Sequence, residues 1–341
     1  MQRKGINYDT GFTRIGAPPS REALVPAQVR REMEIIARDL HCNAVRISGS
    51  DPARIALAAE YALEHGLEVW FAPFPAEMTP DELTRYFAEA AQRAEHVRQH
   101  SQRVVFVLGC EMSLFNSGFV PGATYVERMQ AMMNPQALAN LSVSPDDLIQ
   151  QFNAFLRQSA TAVREHFGGP ITYASGPWEL VDWTSFDIVG VDLYRDVSNR
   201  ASYRELVRAY FTYERPVAIT EFGCCTFRGA ADRGSLGWAI VDRSTQPPQL
   251  TEAVVRDEQA QADELLDTLT ILDEENVDSA FWFTFASYSY PYHADPQHDL
   301  DRAAYGVVKI LDSATGNIYP GMPWEPKRAF YALADYYAQT T

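Results

Sequence analysis

Eight short apolar runs that alternate with helical patterns constrain this chain more than any other feature. The runs are Gly5–Tyr8, Ala44–Ile47, Val69–Pro73, Val104–Leu108, Ile171–Ala174, Ile188–Val191, Val217–Thr220 and Ser279–Phe283. Strands separated by helices pair in parallel, because a parallel return needs a crossover long enough to carry a helix. Eight such units close a ring, so the pattern predicts an α/β fold, a (β/α)8 barrel. The helix starts agree. Thr79-Pro80-Asp81-Glu82 supplies an N-cap, an N1 proline and an acidic third position, and Ser144-Pro145-Asp146-Asp147 repeats the arrangement. Val29, Met33, Ile36, Ala37 and Leu40 recur at helical spacing and give the first helix one apolar stripe to lay on the barrel. No linker-like or low-complexity stretch interrupts the series, and residues 1–341 read as one domain.

The strand-to-helix connections are unequal. Those after the fourth, seventh and eighth strands are long: Met112–Val143, Phe222–Leu250 and Thr284–Pro323. In this fold such loops all open on the face at the strand C-termini, where barrel enzymes build their sites, so the extra length falls where a pocket and its cover belong.

Two of the strands end on a glutamate. Glu111 follows Val104–Cys110 and Glu221 follows Pro216–Thr220. A carboxylate at the end of an apolar strand is costly to desolvate unless something uses it, and two on one barrel face make an acid and a nucleophile in one pocket. Glycoside hydrolysis is the reaction that needs this pair, with carboxyls about 5–5.5 Å apart on the retaining route. The alternative for a single strand-end Glu is a salt bridge at the barrel rim.

In these residues the chain resembles the clan A glycoside hydrolases, (β/α)8 proteins with the acid/base Glu after strand four and the nucleophile Glu after strand seven. The resemblance extends to Arg46 at the end of strand two, to Tyr194 in Asp192-Leu193-Tyr194 after strand six, and to Trp282 in Phe281-Trp282-Phe283 of strand eight. It implies that Arg46 and Tyr194 hydrogen-bond the nucleophile and that Trp282 floors the sugar subsite. The alternatives are a rim salt bridge for Arg46 and barrel packing for Trp282. Independently of any family, a cation and a donor beside Glu221 favour its ionised form, whereas burial near Phe106 and Phe115 keeps Glu111 protonated for the leaving oxygen.

One position departs from the family. Cys110 stands immediately before the acid/base Glu, where clan A members usually have Asn, and a thiol cannot donate the same bond to a sugar 2-hydroxyl. The departure supports a rival reading, a catalytically silent carbohydrate-binding or interaction protein on the same barrel. Further aromatics gather near the expected mouth: Trp178 and Trp183 after strand five, and Tyr288, Tyr290 and Tyr292 after strand eight. Sugar faces stack on such rings, and alternating tyrosines equally suit one packed face of an extended segment. Asp192 is the third carboxylate at a strand end.

Other classes fit less well. Formal charge is −16, from 29 Lys and Arg against 45 Asp and Glu, which repels nucleic acid and anionic membranes. The only lysines, Lys4, Lys309 and Lys327, avoid strand C-termini, against a Schiff-base aldolase. Most histidines fall on helices or their ends, against a metal-dependent hydrolase. His293, Asp295, His298, Asp299 and Asp301 sit together in one loop without a recognised ligand spacing, so no metal and no cofactor is expected. The four cysteines read as reduced thiols. With no apolar leader after Met1-Gln2-Arg3-Lys4 and no run of about 18 apolar residues, a cytoplasmic location is expected. The expectation is a retaining glycosidase for a small soluble glycoside or oligosaccharide, with sugar, anomer and oligomeric state undetermined by sequence.

Overall fold

A computed structural model describes residues 1–13, 18–133, 144–312 and 314–339. Eight parallel strands form a nearly closed barrel: β1 (Arg3–Asp9), β2 (Ala44–Gly49), β3 (Glu68–Pro73), β4 (Val104–Cys110), β5 (Ile171–Ala174), β6 (Val189–Asp192), β7 (Val217–Phe222) and β8 (Ser279–Trp282). Each pairs with its sequence neighbour except β5 with β6, which stand at the two edges, and β1 pairs with β8. The seam between β5 and β6 is held by Asp187 N donating to Ile171 O at 2.9 Å, Ser175 N to Gly190 O at 3.1 Å and Asp192 N to Ser175 O at 2.8 Å.

The helices that cover the barrel are α1 (Pro26–Arg38), α2 (Pro52–Glu64), α3 (Pro80–His100), α4 (Pro145–Arg164), α5 (Tyr203–Ala209), α6 (Glu258–Glu274) and α7 (Arg328–Gln339). The capping signals are realised. Thr79 Oγ1 accepts from Glu82 N while Glu82 Oε2 accepts from Thr79 N at 2.8 Å, and Ser144 Oγ accepts from Asp147 N at 3.2 Å. The fifth unit differs from the regular pattern: β5 and β6 are joined by a loop with a single 3-10 turn, Trp183–Ser185.

Strand alternation sorts side chains into two cores. Trp70, Val105, Val107, Cys110, Ala174, Ala218 and Phe281 fill the barrel, with Trp70 and Phe281 rings 4.7 Å apart, while Phe106, Leu108, Val191, Ile219 and Trp282 face the helices. The long connections carry structure of their own. The one after β4 holds the short helices Met112–Phe115 and Tyr125–Met132; its expected continuation over 134–143 lies outside the described residues. The one after β7 contains a two-stranded ladder, Val241–Asp242 with Gln249–Leu250, and the one after β8 another, Val308–Ile310 with Trp324–Pro326.

Candidate active site

Two bulges aim the strand ends inward. Between Val107 and Cys110 the β4 register against β5 slips by one residue around Gly109, which sits at φ +81°. A Cβ there would lie 2.7 Å from Met112 Sδ, so backbone freedom and space both call for glycine. The slip turns Cys110 into the barrel, and Glu111 follows at φ +44° as the first residue of a sharp turn. On β7 the extra residue is Thr220: Val191 pairs with Ile219, and Asp192 pairs with Glu221. Simple alternation would point Glu221 at the helices; the bulge swings it to the axis beside Asp192.

Glu221 is closely held. Its Oε1 accepts from Arg46 Nη1 at 2.7 Å and from the Cys110 thiol at 3.6 Å, and its Oε2 accepts from Tyr194 OH at 3.0 Å. Arg46 is fixed by Asn7, whose Oδ1 takes Nη1 at 2.7 Å while Nδ2 donates to Thr220 O at 3.0 Å. Strands β1, β2, β4, β6 and β7 thus meet on one carboxylate. Asp192 is buried beneath it, accepting from Thr220 Oγ1 at 2.7 Å and Cys110 Sγ at 3.1 Å. Burial, then the charge of Glu221, pushes the Asp192 carboxyl up to about 8 against the pull of Arg46. The Cys110 thiol is likewise pushed well up, by burial and then by Asp192, so it stays a donor.

Glu111 is built differently. Its backbone N donates to Ala174 O at 2.9 Å, and no side-chain hydrogen bond to it occurs among the described residues. Desolvation, followed by the charges of Asp192, Glu221 and Glu179, raises its pKa well above the ordinary glutamate value. The site therefore pairs a carboxyl held as the acid with a carboxylate held by a cation and a phenol. That division is what acid and nucleophile need.

Sequence reasoning missed the groups that set the Glu111 turn. Glu179, buried after β5, accepts from Ser113 Oγ at 2.6 Å, Ser113 N at 3.0 Å, Tyr173 OH at 2.7 Å and Gly176 N at 2.9 Å, and Tyr173 OH takes Met112 N at 2.8 Å. It caps the short helix that Glu111 begins. Nothing in its local sequence separates it from a surface acid. Asn7 was findable, as the one amide inside the apolar run Gly5–Tyr8.

Of the expected residues, Glu111, Glu221, Arg46, Cys110, Asp192 and Tyr194 come together, and Trp178 stands next to them through Ser113 Oγ at 3.2 Å from its Nε1. Two do not join the cluster. Trp282 is fully buried, faces Phe222 edge-on and donates Nε1 to Tyr305 O at 3.2 Å; alternation turns it away from the axis, so it packs the barrel wall. Tyr288 donates to Glu32 of α1, accepts from Gln28 Nε2 at 2.8 Å and lies under Arg21, 4.1 Å from its ring.

Two groups of described residues have ligand atoms close enough for a cation. One is Cys110, Asp192 and Glu221, where Arg46 already supplies the positive charge; the other is the more open trio His293, Asp295 and His298. All four cysteines are free and buried, and no helix among the described residues is long and apolar enough to cross a membrane.

No protein-family model matches the chain, and no curated protein does. Solved structures do match. A GH113 β-1,4-mannanase complex aligns over 99% of both chains with a TM-score of 0.63 and 15% identity. The GH113 β-mannanase AaManA from Alicyclobacillus acidocaldarius, in complex with ManMIm, aligns over 100% of this chain and 98% of its own, at TM-score 0.60 and 16% identity. A β-D-glucuronidase from Dictyoglomus thermophilum covers 99% of this chain with 50% of its own, at TM-score 0.56 and 12% identity. At these identities the likeness is one of fold: the chain has the (β/α)8 architecture found in glycoside hydrolases.

Proposed function

We propose that this protein is a retaining glycosidase acting by double displacement, with Glu221 as nucleophile and Glu111 as acid and then base. The observation that carries the reading is the contrast between the two carboxyls, one held by Arg46 and Tyr194, the other without a cation and kept protonated by desolvation. In the first step a Glu221 oxygen bonds to the anomeric carbon as the bond to the leaving oxygen breaks and takes the Glu111 proton. In the second, Glu111 removes a proton from water, the hydroxyl oxygen bonds to the anomeric carbon, and the Glu221 ester bond breaks.

Fold likeness to mannanases and a glucuronidase suggests β-mannosides and β-glucuronides as first substrates to try. We favour a neutral glycon. Among the described residues the cation at the reacting centre is Arg46, and it is already bound to Glu221 and Asn7, so a sugar carboxylate would find no free positive charge there. The test is a screen of aryl glycosides of varied sugar and anomer, with proton NMR on any hit to identify the anomer first released. Retention supports the proposal; inversion, or no turnover with any glycoside despite calorimetric sugar binding, points to another mechanism or to the silent-barrel reading that Cys110 favours.

A further inference from the structure

Of six tryptophans, only Trp178 stands out as an exposed ring, 39% accessible; Trp70, Trp183, Trp282 and Trp324 are buried. Its exposure is not looseness. Nε1 donates to Ser113 Oγ at 3.2 Å, and the benzo edge lies over Gly176, where a Cβ would come 2.6 Å from Trp178 Cε2. Ser113 is fixed in turn by Glu179, through Oγ at 2.6 Å and N at 3.0 Å. The ring is held in one place before any ligand arrives, so little conformational freedom is lost when something stacks on it.

Its position follows from what it is tied to. Ser113 lies two residues beyond Glu111, in the turn that Glu111 begins, and Trp178 reaches it from the loop after β5. The groups that hold Glu221 come instead from β1, β2, β4 and β6. In a double displacement the proton donor addresses the leaving oxygen, while the nucleophile faces the anomeric carbon from the other side. A ring one hydrogen bond from the donor's own turn therefore stands on the leaving-group side.

Resting on the glycosidase reading, we infer that Trp178 is a preformed stacking platform for a sugar in the leaving-group position. The substrate class is then an oligosaccharide whose departing residue offers an apolar ring face, not a glycoside of a small or charged aglycone. Sugar rings present such faces, and an indole supplies the larger area at fixed orientation.

The test separates leaving groups. For the sugar identified by the aryl-glycoside screen, kcat/KM is measured on its glycosyl fluoride, whose leaving group has no ring, and on its trisaccharide. Trp178→Ala should cost about tenfold or more on the trisaccharide and under about threefold on the fluoride. Gly176→Ala, which pushes the indole aside without removing it, should give the same split, and Trp178→Phe should recover most of the trisaccharide rate. Equal losses on both substrates, or no loss on the trisaccharide, overturn the inference while fluoride release upholds the glycosidase reading. A wild type that releases no fluoride from any glycosyl fluoride sinks that reading, and this inference with it.

Discussion

The Cys110 sulfur lies 3.1 Å from Asp192 Oδ2 and 3.6 Å from Glu221 Oε1, so a single thiol hydrogen stands between two carboxyls. A thiol is a weak donor, whereas an amide brings two N–H groups to the same place. Cys110→Asn should therefore keep the fold, since the position is inside the barrel but already polar in its contacts, and should raise turnover on ordinary hexosides. A melting temperature close to wild type with higher kcat/KM is the expected result; unchanged fold with lower kcat/KM would show that the thiol itself suits the substrate.

Asp192 gives a signed pH dependence. Its folded pKa, pushed up to about 8, exceeds the unfolded value near 3.8, so the native state binds its proton more tightly and stability from this group is lost as pH rises from about 4 to about 8. Asp192→Asn removes that loss. The stability of the variant relative to wild type should rise between pH 5 and 8 by more than about 1.4 kcal/mol, the equivalent of one pKa unit. The same substitution deletes a charge that raises Glu111, second only to desolvation, so the alkaline limb of kcat/KM should move to lower pH. Chemical unfolding at several pH values and a pH–rate profile read the two effects separately; a limb that moves up contradicts the electrostatics.

The two glutamates should fail differently. Glu221→Ala should abolish glycosyl-enzyme formation on every substrate. Glu111→Ala should spare the first step for dinitrophenyl glycosides, whose leaving group needs little protonation, and stall at deglycosylation. Azide should then restore turnover and give a glycosyl azide of retained configuration, whereas azide rescue of Glu221→Ala should give the inverted product. Identical behaviour of the two variants would reverse or remove the assignment.

Glu179 takes four donors from three elements, so Glu179→Gln turns acceptor capacity into an N–H2 group facing donors. A stability loss of about 1–3 kcal/mol is expected from the broken cap. Because the cap aims Glu111, kcat should fall more than KM rises, and the lost charge should again lower the alkaline limb. A stability change with kinetics intact would confine Glu179 to a packing role.

Much of the barrel was legible because strand ends and helix caps are local. All eight expected runs overlap observed strands, and both Pro-bearing caps hydrogen-bond as their residue types dictate. What the sequence hid is the direction of side chains. Trp282 ends its strand, whereas Arg46, expected at the end of strand two, lies within β2 because that strand runs on to Gly49; Trp282 faces outward and Arg46 the axis, and since both faces of a barrel strand are apolar, neither hydropathy nor spacing tells the axis from the helix layer. Glu221 is the converse case, brought inward by a bulge at Thr220 that no residue type announces. For Tyr288 the alternating tyrosines suit a sugar-stacking ring and a packed face equally, and Glu32, on α1 and far away in sequence, claims its hydroxyl.

Strand β5 is only four residues long, and it carries more than its share. Ala174 receives the backbone of Glu111, Tyr173 receives that of Met112, and Ser175, just beyond, receives that of Asp192 across the seam. It is the stave that completes the ring, and it is also the jig in which Glu111, the proposed proton donor, is set. A chain with this stave undocked owns every carboxylate of the site and lacks their arrangement. Met112 and Tyr173 are 61 positions apart, and contacts distant in sequence close late, so the return of activity during refolding should trail the return of ellipticity, and an enzymatic assay becomes a clock for the docking of one strand.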